Sequence, residues 1–170
     1  MSELVLLMID SKEVLKILHS EGISFASGVP CSYFSRLITE LSEFEGISYI
    51  PATREDEAIG IASGISFGNG KAMVLMQNSG YATIGDALTS LAQLYELPML
   101  LIISYRGLEP DMDFPEHSLM GEVTESSLDC YNVPYWNLEE SGWRETIGLA
   151  ITNMEQTSRP VALLVKQGVL

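Results

Sequence analysis

Short, continuous apolar runs rich in branched residues recur along the chain, separated by stretches whose apolar residues fall at helical spacing. The run Pro98-Met99-Leu100-Leu101-Ile102-Ile103-Ser104 is the strongest of them. A strand with no polar face must be covered on both sides, as in a parallel sheet whose crossover helices lie above and below it. The pattern therefore predicts a single three-layer α/β/α domain with a mostly parallel six-stranded sheet. Strands are expected at 23–27, 47–51, 73–76, 98–104, near Tyr135, and at 161–166. Helices are expected at 10–19, 32–41, 54–67, 83–94, 123–130 and 140–155. Asp10 with Glu13 resembles a capping box for the first helix, and Thr53 is placed to cap the third.

With 170 residues, of which 46% are hydrophobic, the chain has enough apolar surface for one sizeable core. Its 9 Lys and Arg stand against 23 Asp and Glu, a formal charge of −14. Such a field repels phosphate backbones and anionic lipid, so no nucleic-acid or membrane partner is expected. The apolar run at 4–9 is too short to span a bilayer and has no basic segment before it, so it reads as neither span nor signal. Cys31 and Cys130 fit neither a zinc pattern nor a disulfide framework, and a reducing, cytoplasmic setting is expected. No metal site is expected in this chain.

Two apparent motifs fail on inspection. Gly68-Asn69-Gly70-Lys71 lacks the first glycine and the Ser or Thr of a phosphate loop and precedes a strand, so a helix-to-strand turn is the better reading. Glu116-His117 lacks the second histidine of a zinc-protease helix. Gly60 and Gly64 share one face of a predicted helix, where each costs about 1 kcal/mol relative to alanine. Either something approaches that backbone closely or the helix packs plainly on the sheet.

Polar residues gather where four predicted parallel strands end, the edge at which open α/β sheets bind ligands. They are Gly28-Val29-Pro30, Thr53-Arg54-Glu55, Gln77-Asn78-Ser79-Gly80 and Ser104-Tyr105-Arg106-Gly107. Each turn alone reads as ordinary capping, and their convergence on one crevice is what points to a site. The loop at 106–122 is long for a compact domain, which suggests function or mobility.

The string from Thr53 through Glu55 and Gly60 to Gly64, followed by Gln77-Asn78-Ser79-Gly80, resembles the pyrimidine domain of the phosphonopyruvate and sulfopyruvate decarboxylases. Gly28-Val29-Pro30, Tyr105-Arg106-Gly107 and Pro115-Glu116-His117 with Met120-Gly121 match as well, so the resemblance spans nearly the whole chain, 1–170. It implies thiamine diphosphate as cofactor and Glu55, nine residues before Gly64, as the glutamate that activates its pyrimidine; Glu57 is two residues late. A carboxylate there favours the imino tautomer of the ring, and the cofactor performs the carbanion chemistry. An acidic residue at a helix start also has an ordinary use, complementing the helix dipole.

The same resemblance nominates Gly28, Val29, Pro30, Asn78 and Ser79 as cofactor contacts, and Asn78, Ser79, Arg106 and His117 as substrate contacts. His117 is a candidate to handle a proton, and a solvated loop histidine is the alternative. Arg54 and Arg106 are candidates for an anionic substrate group, unless they pair with Asp56 or Glu109. Asn78 and Ser79 have helix capping as their competing use.

Enzymes of this family hold the cofactor's diphosphate and Mg2+ in a second domain through Gly-Asp-Gly and a downstream Asn. Here the nearest string is Gly85-Asp86-Ala87, inside a predicted helix. The resemblance therefore implies a β subunit that binds the diphosphate and the metal, a hetero-oligomer, and a small anionic 2-oxo acid as substrate. Two-chain members of the family act on sulfopyruvate on the way to coenzyme M in methanogens. The alternatives are a phosphonopyruvate decarboxylase subunit and a noncatalytic structural subunit.

Overall fold

In a computed structural model that describes residues 8–108 and 113–170, the sheet has six strands in the order β2-β1-β3-β4-β6-β5. These are β1 (Ile23–Gly28), β2 (Ser48–Pro51), β3 (Lys71–Gln77), β4 (Leu100–Ser104), β5 (Tyr135–Leu138) and β6 (Val161–Val165). Every neighbouring pair is parallel. The expected architecture holds, with the sheet wholly rather than mostly parallel. Most of the run at 4–9 and part of the loop at 106–122 lie outside the described residues.

All five residues of β4 and all five of β6 are buried, which is why their sequences show no alternation. On one face Met73, Leu75, Leu100, Ile102 and Leu163 pack against α1 (Ser11–Ser20), α2 (Ser35–Glu43) and α6 (Trp143–Thr157). On the other, Val74, Met76, Leu101, Ile103 and Leu164 meet α3 (Glu55–Phe67), the π-helical segment Ala87–Gln93 and α5 (Ser118–Cys130). Cutting Leu75 or Ile102 to alanine would cost about 2–5 kcal/mol, because neither layer can collapse into the gap. Among the described residues no helix is long and apolar enough to cross a membrane.

Several local expectations are corrected. Asp10 does cap α1, accepting from the Lys12 amide at 2.9 Å, but Glu13 turns to Lys16 rather than completing a capping box. The fourth helix, expected at 83–94, takes the wider turns of a π-helix at Ala87–Gln93, and an unexpected short α4 (Asn78–Tyr81) precedes it directly after β3. Residues 115–122 are not loop: Pro115–His117 form a 3-10 turn that runs into α5. The last helix starts at Trp143 rather than 140, after Gly142 in the left-handed region at its cap position. The stretch after α3 is a helix-to-strand turn, in which the Gly68 and Gly70 amides donate to the Ile65 carbonyl.

Strand β1 has β2 on one side and β3 on the other, so the order in which strands are added to the sheet reverses at it. A crevice opens outside the carboxyl ends of strands at such a reversal. Gly28 ends β1 at φ +154, where an added Cβ would sit 2.8 Å from the Leu75 carbonyl carbon, so only glycine fits. Its carbonyl accepts from the Ala52 amide at 2.9 Å and the Val29 amide donates to Leu75 at 3.1 Å, which ties three strand ends together.

Candidate functional site

The first turn of α3 carries Glu55, Asp56 and Glu57, an acidic cluster suited to the positive end of a helix dipole. Two of the three are committed to local structure. Glu57 reaches back to accept from the Thr53 amide and hydroxyl, both at 2.8 Å, and those bonds hold its carboxyl below the ordinary range. Thr53 thus donates to an acid instead of capping the helix, and the cap position belongs to Arg54. Asp56 takes the Arg54 guanidinium through two bonds of 3.0 and 2.9 Å, which lowers its pKa. Arg54 is therefore paired with Asp56 and largely exposed.

Glu55 differs from both neighbours. It is half-buried, and among the described residues it makes no hydrogen bond or ion pair. Its side chain lies over the backbone of Gly80 in α4, where an added Cβ would be 2.6 Å from both Glu55 Cγ and Cδ. The carboxylate therefore extends from the end of β2 across β1 to the end of β3, within the crevice.

Asn78 and Ser79, adjacent in sequence, have different surroundings. The Asn78 side chain is fully buried; its amide donates to the Arg106 carbonyl and to Thr124 Oγ1, both at 2.9 Å, while its oxygen accepts from the Ser79 amide. It braces β3, the segment after β4 and α5 against one another, which is neither helix capping nor an open donor. Ser79 is exposed, and its hydroxyl has no partner among the described residues.

Arg106 is held by Asp113 and not by Asp56, while Glu109, its other expected partner, lies outside the described residues. The guanidinium bonds Asp113 at 2.5 and 3.2 Å, reaches Gln77 Oε1 at 3.4 Å and lies 4.8 Å from the Tyr33 ring centre. The two charged side chains are only 11% and 5% exposed. Asp113 also accepts from the Gly107 and Phe114 amides. The bonds from Arg106 and these amides hold the Asp113 carboxyl far below the usual range, while Arg106 is raised by the same contact. Burial first, and then Asp113, pushes the Tyr33 hydroxyl up.

His117 ends the 3-10 turn half-buried, its ring edge-on to Phe114 at 6.5 Å. Its carbonyl is pressed on Gly107, where φ is +82 and an added Cβ would be 2.5 Å from the His117 carbonyl carbon. Pro30 is exposed and Val29 half-buried at the rim. The structure thus brings Gly28, Glu55, Gly80, Arg106 and His117 to one edge of the sheet. Among the described residues no group of three or more His, Cys, Asp and Glu could hold a metal ion.

The family described as thiamine pyrophosphate enzyme, N-terminal TPP binding domain, matches residues 11–126. The chain belongs to that family. Within this TPP-binding family it is similar to the sulfopyruvate decarboxylase subunit alpha of Methanocaldococcus jannaschii, 36% identical over 156 residues that cover 91% of each chain. The subunit alpha of Methanothermobacter thermautotrophicus is 32% identical over 160 residues, 92% of this chain and 96% of that one. A phosphonopyruvate decarboxylase of Streptomyces viridochromogenes is 30% identical over 166 residues, 96% of this chain but 42% of its own length.

For a TPP-binding domain the two glycines on α3 are instructive. Gly60 and Gly64 are exposed, and an added Cβ on either would meet nothing within 4 Å. They face away from the sheet, which removes plain helix-on-sheet packing as their reason. Phe67 and Tyr95 are exposed beside them with ring centres 5.9 Å apart, next to exposed Leu94. Sequence reasoning noted Gly80 only as part of a motif, and it missed the role of Asp113. Neither Asp113 nor Thr124 follows a strand, so strand-end reasoning had no signal for them.

Proposed function

We propose that residues 1–170 act as the pyrimidine-binding subunit of a thiamine-diphosphate-dependent decarboxylase that converts 3-sulfopyruvate to sulfoacetaldehyde and CO2, a step toward coenzyme M. The observation that carries this reading is the Glu55 carboxylate, half-buried against Gly80 and without a hydrogen bond or ion pair among the described residues, while Asp56 and Glu57 are both paired. A half-buried carboxylate with no hydrogen bond or ion pair among the described residues, above a glycine that leaves space, fits the aminopyrimidine ring of the cofactor. When bound, thiamine diphosphate supplies the electron sink into which a 2-oxo acid loses CO2.

This chain's part is to hold and tune. Glu55 accepts a hydrogen bond at the ring nitrogen and so fixes its tautomer. Gly28, Val29 and Pro30 line the crevice, and the Ser79 hydroxyl is available beside Glu55. Asn78 acts one step removed, by positioning the Arg106 backbone. His117 stands near the mouth as the group to move a proton during aldehyde release.

Diphosphate and Mg2+ would be held by a β subunit carrying Gly-Asp-Gly. The outward face of α3 beyond its acidic first turn, with Gly60, Gly64 and exposed Phe67, supports such a partner, since an exposed apolar patch on a helix is commonly an interaction surface. Relatives named as a subunit alpha support it too. The phosphonopyruvate enzyme is the second reading, favoured by a relative aligned over 96% of this chain.

Co-expression with the partner, followed by assay of CO2 release from sulfopyruvate, phosphonopyruvate and pyruvate with thiamine diphosphate and Mg2+, tests the reading. Sulfopyruvate is expected to be turned over with the highest kcat/KM. Equal activity in the isolated chain would contradict the shared site, and greater activity on phosphonopyruvate would favour the second reading.

A further inference from the structure

A cleft of about 650 Å3 lies beside the crevice, lined among others by Ser32, Tyr33, Ser35, Arg36, Arg106 and Asp113. It holds two of the nine cations of a chain whose formal charge is −14. Within it Arg106 is neutralised by Asp113. Among the described residues Arg36 is less compensated: the one carboxylate within ion-pair range, Asp10, is 3.9 Å away and already accepts from the Lys12 amide. The Arg36 side chain is 47% exposed.

The placement of Arg36 is locally unfavourable. It stands in the first turn of the nine-residue helix α2, whose first turn contains no acid and whose cap makes no side-chain hydrogen bond. A cation at a helix N-terminus opposes the helix dipole. The Ser32 and Ser35 hydroxyls beside it have no partner among the described residues. Among the described residues the cleft thus presents one weakly paired cation, two hydroxyls without a hydrogen-bond partner and a positive helix end, in a protein otherwise strongly acidic.

We infer that this cleft binds the tetrahedral anionic end of the substrate, a sulfonate or phosphonate, with Arg36 as the cation that meets it and Arg106–Asp113 as its rigid wall. The inference rests on the decarboxylase reading above and adds a specificity-determining residue to it. Arg106 reaches Gln77, the residue immediately before α4, so the cleft wall adjoins the turn on which Glu55 packs. A ligand seated here would have its other end directed along the strand ends toward that crevice.

Sulfoacetate, a sulfonate that cannot be decarboxylated, separates this inference from the activity. Its affinity for the assembled complex is measured by calorimetry beside that of acetate. Arg36→Ala is expected to weaken sulfoacetate binding about 10- to 100-fold, the range for losing a hydrogen bond to a charged group. Arg36→Glu is expected to weaken it further, and Arg159→Ala, a charge removed at the opposite edge of the sheet, to leave it unchanged. In turnover, the KM for sulfopyruvate carries the larger share of the Arg36→Ala loss. Unchanged sulfoacetate affinity in Arg36→Ala, or an equal loss for Arg159→Ala, would overturn the inference. Arg36-dependent binding in a complex that decarboxylates no 2-oxo acid would instead overturn the function and leave the cleft standing.

Discussion

The first turn of α3 and the segment after β4 lie at the same edge of the sheet and treat their charges in opposite ways. After β4, Arg106 and Asp113 are nearly buried and satisfy each other, with Gln77, Tyr33 and two backbone amides taking the remaining capacity. At α3 the acids outnumber their partners, and Glu55 is left over. A buried ion pair with every hydrogen bond made serves geometry, because breaking it strands a charge. An unmatched carboxylate in a crevice contributes little to the fold and is available to a ligand. The contrast separates the residues that shape the site from the residue proposed to perform chemistry in it.

The sharpest way to break the contrast is Glu55→Gln in the assembled complex. Decarboxylation and exchange of the cofactor C2 proton are expected to fall about 10²- to 10⁴-fold, the range for losing a positioned proton-handling group. The unfolding free energy should change by no more than about 0.5 kcal/mol, since no protein partner is lost. Undiminished exchange would remove Glu55 from its role. Gly80→Ala attacks the same point from below: its methyl group would displace the carboxylate, and a misplacement of about 1 Å can cost 10²-fold in rate. Reduced exchange with an unaltered melting transition is the expected signature.

Asp113→Asn should behave in the reverse manner, with stability taking the loss first. Removing the anion leaves Arg106 buried and unpaired, which costs about 3 kcal/mol in chemical denaturation at neutral pH. The sign of the pH dependence follows from the folded state holding the Asp113 carboxyl far below its ordinary value. Between the folded and unfolded pKa values the unfolded chain binds more protons. The wild-type advantage is therefore fully present above the ordinary Asp value near 4 and shrinks as pH falls through the acid range below it. A difference between wild type and Asp113→Asn that grew on acidification would break the account.

Much of the sheet was legible because β4 and β6 are buried on both faces and so carry unbroken apolar runs. The strand-end turns followed from parallel topology, which places Gly28, Glu55, Asn78 and Arg106 at one edge before any contact is known. Less visible was how each side chain is used. Asn78 looks like an open donor in sequence, yet Thr124 and the Arg106 carbonyl consume its amide from distant parts of the chain. Residues 118–122 read as the end of a polar loop, whereas Gly121 lets α5 pass close to Gly107, whose carbonyl carbon would be 2.6 Å from an added Cβ. Arg36 left no signal, since a lone arginine among helical residues reads as solvated surface.

The smallest effect is expected at Glu57, and it tests whether the two neighbouring glutamates are distinct at all. Spacing in the sequence separates Glu55 from Glu57 by only two positions, so the distinction rests on what each carboxylate touches. Glu57 binds the Thr53 amide and hydroxyl, and its lowered pKa means this contribution exists above the ordinary Glu range and fades as pH falls below it. Glu57→Gln keeps an acceptor but loses the charge, so a slight drop in melting temperature is expected at neutral pH, vanishing in acid. Cofactor C2 exchange should match wild type. Loss of exchange in Glu57→Gln together with its retention in Glu55→Gln would exchange their roles and make Glu55 the residue that serves only the helix dipole.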